Sequence, residues 1–150
     1  MNPLNFAPNL KTSFHLTMGD IYSSKGYYNF AFKHYIDARR SNEDSRSKRP
    51  INKRIAKIIP LNLDYANLEV MEILEEDNTN LNIILLPQSL TLIYNNSEEV
   101  LNKFNDIEQR ALDREFRSSY NFLKRNVNSN MSFSKKVGVV LPLELSLIHI

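Results

Sequence analysis

The sequence predicts an all-α protein, and three observations point there. Only three Gly occur in 150 residues, which suits a helical protein with few tight hairpins. Apolar residues recur at helical spacing through most of residues 12–125. The nineteen Asn gather in "DNTNLN", "YNNSEE" and "KRNVNSNM", where helices would start or stop. The expected architecture is about six helices, paired as αα-hairpins and stacked antiparallel in sequence order, ahead of an extended, strand-like C-terminal tail.

Composition narrows the function classes. Hydrophobic residues make up 42% of the chain, enough for one buried core. Nineteen Lys and Arg nearly cancel seventeen Asp and Glu, and the net charge of +2 carries no general signature for nucleic acid or membrane. Without Cys there is no disulfide, thiol nucleophile or thiolate zinc site. No stretch reaches the roughly 18–20 apolar residues of a membrane span.

Residues 1–11 read as an irregular N-terminal arm. In 12–45, Phe14, Met18, Ile21 and Tyr22 form one apolar stripe, Lys25-Gly26 breaks it, and Tyr28, Ala31, Tyr35 and Ala38 form a second. "INKRIAKII" (51–59) reads as a short helix stopped by Pro60. Residues 62–77 place Leu63, Ala66, Val70, Ile73 and Leu74 on a core-facing stripe. Residues 81–95 are apolar nearly all round, as a central helix would be, with Pro87 as a kink or first turn and a strand over 82–86 as the alternative. Ser97 with Glu98 and Glu99 opens a helix carrying Val100, Phe104, Ile107 and Ala111, and Phe116, Tyr120 and Leu123 continue to about Arg125. "NVNSNMSFS" (126–134) reads as a linker, and "KKVGVVLPL" (135–143) as a buried strand.

Two of these segments carry resemblances. Met18, Gly19, Tyr22, Gly26, Tyr28, Ala31, Tyr35 and Ala38 together resemble one tetratricopeptide repeat, a helix–turn–helix unit of about 34 residues. Gly19 and Ala31 would mark the close crossing of its two helices, with the three tyrosines filling the gaps around them. His15 stands where that family usually has a large apolar residue, and Glu43 replaces its frequent proline. A generic helical hairpin is the alternative. Residues 135–143 resemble the opening strand of the type I periplasmic-binding-protein fold, the match ending where Glu144-Leu145 follow. The closing "SLIHI" of the tail 144–150 resembles a translated library adapter.

Together the two segments resemble penicillin-binding protein activators of bacterial envelopes. The resemblance implies a fragment of a non-enzymatic protein of the periplasm or cell envelope, regulating a peptidoglycan synthase, with its signal sequence outside this chain. Cytoplasm is the expectation if the resemblance fails. The expected helical stack would hold a partner segment on its concave face, lined partly by His15 and Asp20.

Catalytic templates find no match. His15, His34 and His149 show no metal-ligand spacing along the chain, so no metal or cofactor is expected, and the glycines form no phosphate loop. The acidic run Glu75-Glu76-Asp77 reads as a solvated helix end. One charged feature has local weight: Arg39, Arg40, Arg46, Lys48, Arg49, Lys53, Arg54 and Lys57 cluster against few acids. An intracellular helical-repeat regulator holding an acidic protein or nucleic acid through 39–57, with Arg46, Lys48 and Arg49 as contacts, is therefore the second functional expectation. Val139, Val140 and Leu141 would promote self-association if left unpaired.

Overall fold

In this computed structural model the described residues are 8–42, 44–61 and 63–137. Their regular elements are all helical: α1 (Pro8–Ser24), α2 (Tyr28–Arg40), α3 (Ser45–Ile58), α4 (Tyr65–Leu74), α5 (Asn78–Tyr94), α6 (Val100–Asn105) and α7 (Arg117–Val137), with two 3-10 turns at Gln109–Ala111 and Arg114–Phe116.

α1 and α2 form a helical hairpin whose turn has a definite cause. Gly26 adopts φ +82 just past α1, the left-handed conformation that ends helices at low cost only for glycine. The Tyr27 N–H donates to the Tyr22 carbonyl at 2.9 Å and the Gly26 N–H to that of Ser23 at 3.0 Å, closing the helix end. Asn96 repeats the device after α5, with φ 53 and a 2.9 Å bond from the Ser97 N–H to the Leu92 carbonyl. Where the helices cross, Gly19 is buried under the Tyr35 ring; a Cβ there would lie 2.6 Å from Tyr35 Cδ1.

Three of the helices, α3, α4 and α5, begin on aspartates. Asp44, Asp64 and Asp77 accept hydrogen bonds from the backbone N–H groups of Arg46, Asn67, and Thr79 with Asn80, respectively.

The remainder gathers around α5, which packs against α2, α4, α6 and α7, while α3 lies against α2 and the 3-10 turn at Arg114–Phe116. The core runs from Phe32, Tyr35 and Ile36 through Ile51, Ile55 and Ile59 to Ile83, Ile84, Leu86 and Phe116. Each such side chain, fully buried, contributes about 1.5–3 kcal/mol.

Several expectations are corrected. Residues 8–11 are helical, with Pro8 at the first position of α1, where its missing N–H costs nothing. The segment 126–134, expected as a linker, is helix: Tyr120, Leu123 and Val127 at i, i+3 and i+7 are all buried and hold α7 on the core, so apolar period outweighs the Asn-rich composition. Residues 135–137 also belong to α7, and 138–150 lie outside the described residues. α3 starts six residues before Ile51 and keeps Pro50 in its interior, and α5 runs unbroken through Pro87, with 82–86 helical. The helix expected over 97–111 stops at Asn105 and resumes as a 3-10 turn.

Candidate functional site

α4 faces the opposite way from its expected stripe. Leu68 is its buried anchor, with Tyr65 and Met71 packed partly behind it. Val70, Ile73 and Leu74, assigned to the core by their spacing, stand out of it, 56%, 81% and 72% exposed. The reason is length: α4 has only ten residues and one neighbouring helix of consequence, α5, so it can cover one narrow face. At i, i+3 and i+4 the three side chains make a contiguous apolar ridge.

Beside this ridge lies a groove of about 570 Å³ between α2 and the α4–α5 connection, lined by Lys33, Asp37, Arg40, Leu74, Glu76 and Asp77 among others. Arg40 fixes its wall, donating to Asp37 Oδ1 and to Glu75 Oε1, each at 2.5 Å. Burial alone would lower the Arg40 pKa; Glu75 and Asp37 outweigh it and hold the guanidinium firmly charged. Lys33 Nζ reaches Asp37 Oδ2 at 3.2 Å. The groove cations are therefore spent on Asp37 and Glu75, while Glu69 and Glu76 remain exposed, leaving the ridge with an acidic surround.

At the same stretch of α2, next to Lys33 and Asp37, the hairpin brings two histidines together. His15 from α1 and His34 from α2 meet Nδ1 to Nδ1 at 3.0 Å, one N–H donating to the other ring, with Asp37 one turn beyond His34. Phe14 sets its edge on both rings and Tyr22 stacks on His34 at 5.5 Å. Burial lowers both imidazole pKa values below 6.5, and the mutual proximity of the rings lowers His34 further.

The remaining sequence candidates are distributed. Asp20 accepts from Tyr35 Oη at 2.6 Å and from Arg54 Nε at 2.9 Å, so it ties α1 to α2 and α3. Burial and the Asp20 carboxylate push the Tyr35 hydroxyl pKa up. Arg46 and Arg49 are exposed and Lys48 half-buried on the first half of α3. Met18, Tyr22 and Tyr28 are half-buried, Gly19, Ala31, Tyr35 and Ala38 buried, and Gly26 exposed in its turn.

The basic cluster does not act as one surface. Arg39 is buried, donating through Nε to Asn80 Oδ1 at 2.9 Å and through Nη1 to Asn52 Oδ1 and Asp113 Oδ2. Asn52 in turn donates to Asp113 and Glu115, each at 2.9 Å. This knot joins α2, α3, α5 and the segment before α7. Sequence reasoning missed it because its members lie up to 74 residues apart. The His15–His34 pair was equally hidden; the one local signal was the i, i+3 spacing of His34 and Asp37 on a helix facing α1.

Among the described residues, the fold and these surfaces define an all-α protein with an exposed apolar ridge on α4 and a polar knot around Arg39. No protein-family model, no curated protein and no solved structure matches the chain.

Proposed function

We propose that this chain is a non-enzymatic protein-interaction module whose α4 ridge receives an amphipathic partner segment with an apolar face and basic flanks. The supporting observation is the outward placement of Val70, Ile73 and Leu74 beside a groove whose unpaired charge is acidic. An apolar ridge of this kind costs solvation free energy when bare, and a helix laid along it recovers that cost. Glu69 and Glu76 then select Lys and Arg on the partner's rim, contributing more to specificity and encounter rate than to affinity. In the further reading by resemblance the partner is a peptidoglycan synthase of the cell envelope, and a purified synthase that fails to bind removes that reading.

The ridge itself is tested with two labelled helical peptides of equal length, one Leu/Lys and one Leu/Glu, followed by fluorescence anisotropy. The Leu/Lys peptide should bind, the Leu/Glu peptide should not, and the double substitution Ile73→Ser and Leu74→Ser should weaken binding at least about tenfold while leaving stability within about 0.5 kcal/mol. Equal binding of both peptides, or binding indifferent to the substitution, overturns the proposal. A concentration-dependent dimer abolished by the same substitution would make the occupant a second copy.

A second reading rests on α3. Arg46, Arg49, Lys53 and Lys57 follow one another at i, i+3, i+7 and i+11, all exposed, so a basic stripe runs along that helix toward an acidic protein or nucleic acid. Duplex DNA binding at low salt, weakened steeply by added salt and lost on replacing Arg46, Lys48 and Arg49 with Ala, would support it; no binding at low salt ends it.

A further inference from the structure

We propose that His15, His34 and Asp37 form a binding site for a divalent transition-metal cation that bridges α1 and α2. The argument is geometric. Two metal–nitrogen bonds of roughly 2.0–2.1 Å opened at a right angle place their nitrogens about 3 Å apart, and the two Nδ1 atoms lie at 3.0 Å. That spacing suits adjacent positions of a square-planar or octahedral ion, whereas a tetrahedral ion would require the rings to part by a few tenths of an ångström. Imidazole with carboxylate is a donor set for Ni²⁺, Cu²⁺ or Co²⁺ rather than for Mg²⁺, which prefers oxygen.

The third ligand is within reach. A carboxylate oxygen of Asp37 lies within 4.8 Å of the histidine nitrogens. Oδ1 is anchored by Arg40 at 2.5 Å, whereas Oδ2 is held at 3.2 Å by Lys33, whose side chain is 62% exposed and can turn to water. Phe14 and Tyr22 pack against the rings, so both imidazoles are already side by side and each has only to turn its Nδ1 from its neighbour toward the shared ion.

Binding balances without loss of a proton. The ring that donates its Nδ1–H to its neighbour moves that proton to Nε2, both Nδ1 lone pairs face the cation, and the hydrogen bond between the rings is replaced by two coordinate bonds.

The test uses the full chain without an affinity tag, titrated with Ni²⁺ and, separately, Mg²⁺ by calorimetry, and the histidine ring signals followed by NMR. One Ni²⁺ per chain should bind, Mg²⁺ should not, and the His15 and His34 ring signals should broaden while that of His149 stays sharp. His15→Ala and His34→Ala should each weaken Ni²⁺ binding at least about 100-fold and Asp37→Asn about 10-fold, since loss of even an outer partner typically costs 10–100-fold. If a histidine variant unfolds, the ring signals of the unaltered chain decide. Ni²⁺ affinity that survives His34→Ala, broadening confined to His149, or no saturable binding overturns the proposal.

Discussion

α1 and α5 are each seventeen residues long and they behave oppositely. α1 packs chiefly on α2, and from Asn9 to Ser24 only Gly19 is buried. α5 touches four helices and buries every residue from Asn82 to Leu92. The outer helix is held on one side, by a glycine notch under a tyrosine ring and by the polar contacts of Asp20 and His15. The inner one carries five buried polar residues, and most of these fasten another segment. Asn80 accepts from Arg39, Asn82 exchanges two hydrogen bonds with the Glu108 backbone, and Gln88 donates to Glu72 at 2.8 Å. Only Gln88 Oε1 and Ser89 Oγ are buried without a partner among the described residues. A helix at the edge needs a fit on one side, whereas a helix in the middle must satisfy polar atoms on all sides, and its partners become fixed in the process.

The largest effect should come from the joint between the two regions. Arg39→Met removes the donor that Asn80, Asn52 and Asp113 share. Because the Asp113 side chain is 44% exposed and can be rehydrated, the loss should lie near the low end for a broken buried pair, about 3 kcal/mol, measured as a lower urea midpoint with unchanged slope. A loss below about 1 kcal/mol would mean that α5 is held by apolar burial alone.

Next comes the notch. Gly19→Ala gains about 1 kcal/mol of helix propensity and loses about 1–3 kcal/mol to overlap with Tyr35, for a net destabilisation near 1 kcal/mol. On a Tyr35→Ala background the same change should become neutral or stabilising, and a double-mutant cycle without coupling would refute the notch.

The smallest effect concerns acid. Burial works to raise the Glu72 pKa, but hydrogen bonds from Gln88 and Lys103 outweigh it and hold the carboxyl below 4.5; at Asp77 the Thr79 hydroxyl leads a set of bonds with the same outcome. A folded pKa below the unfolded value means stabilisation that is present above 4.5 and lost as pH falls through the folded value. Glu72 is nearly one-third exposed, so this contribution should stay under about 1 kcal/mol, and Glu72→Gln should flatten the loss of stability below pH 4.5. An unchanged acid profile would detach Glu72 from the α5 fastening.

These differences also explain what the sequence disclosed. The hairpin turn and the Gly19 notch were legible because every participant falls within about one repeat length and each residue type has a single physical use there. α7 was cut short because Asn126, Asn128 and Asn130 look like loop while Val127 between them is the buried member of a helical period. At 77–82 the cluster does mark a helix start, α5 beginning at Asn78, but Asp77 does the capping and Asn80 and Asn82 are interior. α4 was placed correctly and turned the wrong way, since periodicity shows that a helix has two faces but not which one finds a neighbour. The exposed ridge and the histidine pair, the features on which function is argued, were illegible because both depend on which helix lies alongside which.

The Arg39 knot makes any dissection of this molecule lopsided. Cut free, the first hairpin would carry a guanidinium newly open to water, a comfortable state for an arginine. The body left behind would keep Asn52, Asn80 and Asp113 arranged around an empty cationic seat, so excision should harm the larger piece more than the smaller.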